Sequence, residues 1–301
     1  SNWDRARSSM TRRCRSILTA VAVAVASRFC RRDNNRPLTF LAVLVLNLVG
    51  SSVGFHSFLY FISVGYAAAV GLTSAAVLLA YNNLSPHPIP LLTNLHTILP
   101  LLWSIRLILF LLYREYLNWP QWHDKLIEVN QRAKMQSKFS VWMSCTLFYT
   151  CISTPCIYRM QHSITTTAAA AAAASRQNLN NQWGVLGCVG IALQIIGVVT
   201  ETIADAQKAS FKAAPGNRNK WCHTGLWKYS THPNYLGDVV FWMGTYLGGM
   251  ASYKTVTQWT LASFGLLGVI VVIKQATEHL DETQHILYSR NTQGFGEFRE
   301  R

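Results

Sequence analysis

The sequence predicts an all-α fold, a polytopic transmembrane bundle of about seven helices. Half of the 301 residues are hydrophobic and only 13% are charged, against about a quarter in soluble domains. The apolar residues run in long blocks instead of alternating with charge. Several blocks reach the roughly 20 residues a helix needs to cross a bilayer.

In chain order, residues 1–36 form a basic arm rich in Arg and Ser. Arg12-Arg13-Cys14-Arg15 precedes the short apolar run Ile17–Ala26, which ends in small residues. That order is the pattern of a cleaved secretory signal, with an organelle transit peptide as the rival reading. Residues 37–160 form an N-terminal membrane half. Leu38–Tyr81 contains no Asp, Glu, Lys or Arg and is long enough for two crossings, with the turn expected at Gly50-Ser51-Ser52. Leu91–Tyr113 and Phe139–Tyr158 supply two more spans. Residues 161–182, with Thr165–Thr167 and the run Ala168–Ala174, read as a low-complexity linker. Residues 183–301 form the C-terminal half, with spans at Trp183–Ile203, Leu236–Ala251 and Thr255–Ile273. The abrupt start at Ser1 and the charged finish at Gly294–Arg301 fit a piece of a longer chain.

The net charge of +14 sits in the arm and in loops between spans, so a nucleic-acid partner is not expected. With the mature N-terminus outside, the basic loops 114–138, 204–233 and after 273 all fall on the cytoplasmic side, as the positive-inside rule requires. The opposite loops carry only Arg159, Arg176 and Lys254. The seven cysteines show no CxxC and no zinc spacing, so neither a metal site nor a disulfide framework is expected. The endoplasmic reticulum is the expected membrane; another organelle or a bacterial inner membrane are the rivals.

Acids are scarce, and none lies between Asp33 and Glu115. Glu201 and Asp205 close the fifth span and Asp238 opens the sixth. An ionisable group at membrane depth is costly, and function is its default explanation. On a helix, Gln194, Glu201, Asp205, Lys208 and Lys212 share a stripe about 60° wide, which Gly187 and Gly190 continue into the membrane. The stripe suits the wall of a binding cavity; a helix emerging from the bilayer with i,i+4 ion pairs explains it equally. The loop that follows interleaves Lys220, His223, Lys228 and His232 with Trp221, Trp227, Tyr229 and Tyr235. Cations among aromatic rings suit a nucleotide, charge for phosphates and rings for the base. An interfacial belt is the alternative. His232-Pro233-Asn234-Tyr235 opens a helix, Pro being tolerated in its first turn.

The block Glu201-x-x-x-Asp205-x-Gln207-Lys208-x-x-Phe211-Lys212, followed by Gly225-Leu226-Trp227-Lys228-Tyr229-Ser230-Thr231-His232-Pro233-Asn234-Tyr235-Leu236-Gly237-Asp238, resembles the C-terminal domain of the steroid 5-alpha-reductase superfamily. Val64-Gly65-Tyr66 and Leu102-Trp103-Ser104-Ile105-Arg106-Leu107 extend the resemblance upstream. It implies seven spans, an external N-terminus and NADPH held in the C-terminal half by Glu201, Asp205, Lys208, Lys212, Lys228, Tyr229, His232, Asn234, Tyr235 and Asp238. By motif position Asp205 and Asn234 would meet the nicotinamide-ribose region. Lys212 would replace a phosphate-binding Arg, and Asp238 a Glu. The block is most similar to a little-characterised branch of that superfamily, and Thr231 stands where that branch usually has Arg. A steroid reductase polarises its enone with a Glu and a Tyr from the N-terminal spans; residues 34–114 contain no acid. Tyr66 is then the candidate catalytic acid, with Tyr60, Tyr81 and His56 as other proton donors, and packing as its plain alternative.

The expected function is an NADPH-dependent reduction of a C=C bond in a lipophilic substrate, a sterol, isoprenoid or acyl lipid. The alternative is an S-adenosylmethionine-dependent methyltransferase, since the isoprenylcysteine methyltransferases share the pattern of His232–Gly237. A non-enzymatic lipid-binding protein is the third reading. GxGxxG is absent, which excludes a Rossmann site.

Overall fold

The structure, a computed structural model, describes residues 40–85, 87–118, 120–172, 184–217 and 220–288. The basic arm, with its signal or transit reading, and the linker beyond Ala172 lie outside the described residues.

Among the described residues the chain forms eight α-helices and no strand. They are α1 (Phe40–Ser51), α2 (Val64–Leu84), α3 (Leu91–Tyr113), α4 (Pro120–Arg132), α5 (Met135–Ala172), α6 (Gly184–Ala213), α7 (Pro233–Gly249) and α8 (Val256–Tyr288). Leu38–Tyr81 supplies two helices and each of the five later apolar segments one, and the eighth helix, α4, is an amphipathic surface helix. Four are long and apolar enough to cross a membrane: Val64–Asn83, Leu91–Leu117, Gly184–Ala213 and Val256–Ile286. Phe40–Phe55 is shorter. The 17 residues of α7 span about 25 Å at 1.5 Å each, less than the roughly 30 Å hydrocarbon core. This is an all-α membrane bundle.

The first turn is broader than Gly50-Ser51-Ser52 alone. Gly50 stays helical, and its lack of a side chain lets α1 cross α2, since a Cβ there would lie 2.5 Å from the Ala69 Cα. The chain then reverses through two 3-10 turns, Ser52–Phe55 and Phe58–Ile62. Polar bonds fasten α1 to α5: Asn47 donates to the Thr150 hydroxyl at 3.2 Å, and the Ser51 and Thr146 hydroxyls meet at 3.1 Å. Such bonds glue helices where apolar burial gives no drive. α5 carries on through the first part of the Ala-rich segment to Ala172; alanine is the best helix former, so the span simply continues.

Helix α3 ends in a five-residue π turn, Arg114–Asn118, where Glu115 is buried. Both Glu115 oxygens are used, one accepting from the Tyr60 hydroxyl at 2.5 Å and the other meeting His123 Nδ1 at 2.7 Å. This knot anchors α4, whose Leu126 packs on Tyr60 and Val64 while Asp124 and Glu128 face outward. The 3-10 turns, the π turn and α4 thus gather at one end of the bundle.

Candidate functional site

The site grows from the contact between α6 and α7. Their backbones approach so closely that a Cβ at Gly197 would lie 2.4 Å from the Phe241 nitrogen, and one at Gly190 2.4 Å from the Gly248 nitrogen. Gly237 and Gly244 face α6 in the same way, each within 2.6 Å of a backbone nitrogen, those of Glu201 and Gln194. Only glycine permits this spacing, and it sets the polar stripe of α6 beside the first turns of α7.

That stripe is buried at its membrane end. Gln194, Glu201 and Asp205 are all buried, and α3 supplies their partner. Arg106 Nη2 lies 2.7 Å from Glu201 Oε1, and its Nη1 donates to Asp205 Oδ2 at 2.7 Å. The second Glu201 oxygen accepts from Trp103 Nε1 at 2.8 Å. One guanidinium therefore sits between two carboxylates one helical turn apart, which makes their burial tolerable. Asp238, one face over on α7, accepts from Trp242 Nε1 at 3.0 Å and lies within electrostatic reach of Glu201 and Arg106.

Tyr66 joins this group. Its ring packs 5.0 Å from Trp103, 5.1 Å from Tyr149 and 6.1 Å from Trp242. The two tryptophans that hold Glu201 and Asp238 thus also wall in the tyrosine, and Tyr66 interacts with both acids electrostatically.

At the polar end, the loop after α6 folds back on that helix. Trp227 Nε1 donates to the Ala204 carbonyl at 2.8 Å, and the Leu226 amide to Gln207 Oε1 at 2.8 Å. Gly225 makes the bend at φ +61°, and a Cβ there would strike Gln207. The result is a small pocket lined by Lys208, Lys212, Trp221, Cys222, Trp227 and Thr231, and by Gln284 from α8. Lys208 Nζ stands 4.4 Å over the Trp227 ring, and Lys212 donates to the Lys220 carbonyl.

The other residues predicted from sequence divide. Asn234, in the first turn of α7, has a buried Oδ1 with no hydrogen-bond partner, and Tyr235 lies within reach of Arg114, Asp205 and Asp238. His232 is buried and turned toward α8, its Nε2 2.7 Å from Asp281 Oδ1; burial lowers its pKa, and Asp281 partly offsets this. Lys228 and Tyr229 are exposed and do not line the pocket. The residues that the sequence did not mark as site residues are Trp103, Arg106, Trp242, Asp281 and Gln284, although Trp103 and Arg106 fall in one of its upstream motif matches. Arg106 did leave a signal: it is the one Asp, Glu, Lys or Arg from residue 37 to 113.

Fold and site define a polytopic helical membrane protein with a charge cluster buried beside a basic, aromatic pocket. The chain belongs to the family described as protein of unknown function DUF1295, which it matches over residues 60–301, a range that contains every site residue above. It is also similar to an uncharacterized protein of Schizosaccharomyces pombe, 35% identical over 66 residues, which are 22% of this chain and 19% of that protein. The match thus spans about a fifth of the curated relative's length. No solved structure matches the chain.

Proposed function

We propose that this protein is a membrane-embedded reductase that uses NADPH to reduce a C=C bond of a lipophilic substrate, as the resemblance to the steroid 5-alpha-reductase superfamily implies. One observation carries the reading: α6 bears both the lysines of a basic, tryptophan-lined pocket and the buried Glu201, whose partner Trp103 packs on Tyr66, while the first turn of α7 holds Asn234 with an unpartnered Oδ1. The residues fit the cofactor. Lys208 and Lys212 suit phosphates, Trp221 and Trp227 suit an aromatic base, and the Asn234 oxygen suits an amide or hydroxyl donor. NADPH when bound would supply a hydride. The chain's own work is to hold the cofactor and exclude water. Tyr66 then donates its phenolic proton toward the charge that develops on the substrate, and the nearby acids orient it. An endoplasmic-reticulum location belongs to this same reading.

Titration of the purified protein with NADPH and with S-adenosylmethionine tests it. NADPH is expected to bind, with Lys212→Ala weakening affinity by roughly 1–3 kcal/mol, the scale of a charge-assisted hydrogen bond. Asn234→Ala is expected to weaken it by about 1 kcal/mol. Binding of S-adenosylmethionine alone would turn the assignment to a methyltransferase, and equal binding by wild type and both variants would remove the pocket from the argument.

A further inference from the structure

Three helices carry a second polar layer about 10 Å from the charged one. Trp103, Glu201 and Asp238 belong to the charged layer. Seven residues away on α3, α6 and α7 stand His96, Gln194 and Thr245, all fully buried. Pro100 lies four residues after His96 and has no N–H, so the His96 carbonyl loses its helical partner. Gln194 Nε2 donates to that carbonyl at 3.3 Å and the Cys156 thiol at 3.5 Å.

The bonds fix how each group is turned. The Thr245 hydroxyl donates to the Phe241 carbonyl at 3.0 Å, so toward Gln194 it can only accept. The amide must then present Nε2 to it, at 2.9 Å. His96 Nε2 faces the Thr245 carbonyl at 2.9 Å, so that nitrogen carries the proton and Nδ1 keeps a lone pair. A Cβ at Gly248 would lie 2.6 Å from His96 Nε2 and 3.3 Å from Arg159 Nη1. With a guanidinium so near, the ring stays neutral. Among the described residues neither His96 Nδ1 nor Gln194 Oε1 has a hydrogen-bond partner, though both are buried. Two buried acceptors, each costly unpaired, call for a donor.

The packing limits its size. At this level α6 and α7 touch backbone to backbone, Gly190 against Gly248 and Gly244 against Gln194. Pro100 and Cys156, the two residues that bear on the His96 carbonyl, line a cavity between α2, α3, α5 and α7 with room for about one water molecule. Thr73, Ser74 and Ser153 bring hydroxyls to the wall of that cavity, the kind of polar partners a buried water needs.

We propose that this layer binds buried water, which donates to His96 Nδ1 and to Gln194 Oε1. A metal ion or an ammonium would meet Arg159, whose Nη1 bonds the Gly248 carbonyl at 2.9 Å. An anion would set its charge against two lone pairs, and an organic hydroxyl would need room for the carbon that carries it. Water is a donor and is small enough. α6 and α7 thus join dry, glycine on glycine, while α3 joins them wet. Water bridges polar groups nearly as well as a direct bond does and can turn or exchange, so α3 is held in place by a joint that still lets it shift. Nothing in this depends on the reductase reading.

The test is radiolytic hydroxyl-radical footprinting of the detergent-solubilised full chain, read by mass spectrometry. Radicals form from water where it sits, so an interior side chain is oxidised only beside a bound water. His96 and Cys156 are expected to oxidise severalfold faster than Met160, a readily oxidised side chain fully buried in an apolar cluster. N-ethylmaleimide, too large for the site, should leave Cys156 unmodified. Gln194→Leu removes one acceptor and should lower oxidation of His96 and Cys156 severalfold; the wild-type rates carry the test if that variant does not fold. His96 and Cys156 as protected as Met160, maleimide labelling of Cys156, or unchanged oxidation in Gln194→Leu would overturn the proposal.

Discussion

Arg106→Met removes one cation from between two carboxylates and leaves the carboxylates where they are. At an effective dielectric near 20, each attraction at about 4 Å between charge centres is worth about 4 kcal/mol. Repulsion between the two carboxylates is the same with or without the arginine, so the gross attraction lost is about 8 kcal/mol, offset by the cost of burying the guanidinium itself. Its side chain keeps 19% exposure, so water screens part of that, and about 3–5 kcal/mol is expected, the range for breaking a buried ion pair from one side. The assay is thermal unfolding in detergent of wild type, Arg106→Met, and Arg106→Met combined with Glu201→Gln. The double variant keeps the Trp103 bond and deletes one uncompensated charge, so it should recover about half of the loss. An Arg106→Met protein that melts with wild type, or a double variant no better than the single, would refute the reasoning.

Three further outcomes follow from the same geometry. Gly197→Ala should destabilise by about 1–3 kcal/mol, because its Cβ meets backbone of α7 that cannot swing away; Gly184→Ala, with nothing within 4 Å, should be neutral or stabilised by up to about 1 kcal/mol. Both are read by thermal melts. His232 has a folded pKa below its ordinary 6.5, so the stability linked to its neutral form is complete above that pH and is lost as pH falls through the folded value. Melting temperature should therefore drop on acidification below about 6.5, with a shallower drop in His232→Gln. Finally, Lys228→Cys and Lys254→Cys lie at opposite ends of α7 and should label from opposite faces of sealed vesicles with an impermeant maleimide; labelling from one face would break the topology.

The helical membrane class was legible because burial in a bilayer writes itself as long uncharged runs; the count of seven spans goes beyond the four helices that are long and apolar enough to cross. The stripe from Gln194 to Lys212 was legible because helical spacing is regular; the residues do share one helix, with Lys208 and Lys212 lining the polar pocket and Gln194, Glu201 and Asp205 buried. Its partner was not. Arg106 stands 95 residues before Glu201 in the chain, and spacing along one helix says nothing of which distant helix it meets. The rule that flagged intramembrane acids applies equally to a lone intramembrane cation, so Arg106 could have been marked as a site residue without any structure. The linker boundary at 161 blurred for another reason: poly-alanine reads as low complexity but propagates a helix already begun. Asp281 and Gln284 were hidden by distance from the motif, and only the 33-residue length of α8, about 50 Å, brings Asp281 to His232 and Gln284 to the pocket.

The glycine seam has a consequence for motion. Two helices in backbone contact at four levels cannot slide or separate by small degrees, since packed interiors shift between discrete arrangements and do not deform smoothly. α6 and α7 should then behave as one rigid plate. The distances among Glu201, Asp205, Asn234 and Asp238 are fixed within it, whatever happens around them. Any breathing that admits or releases a molecule must come from the helices leaning on the plate, α3, α5 and α8, and Arg106 is the charged tie that joins α3 to it.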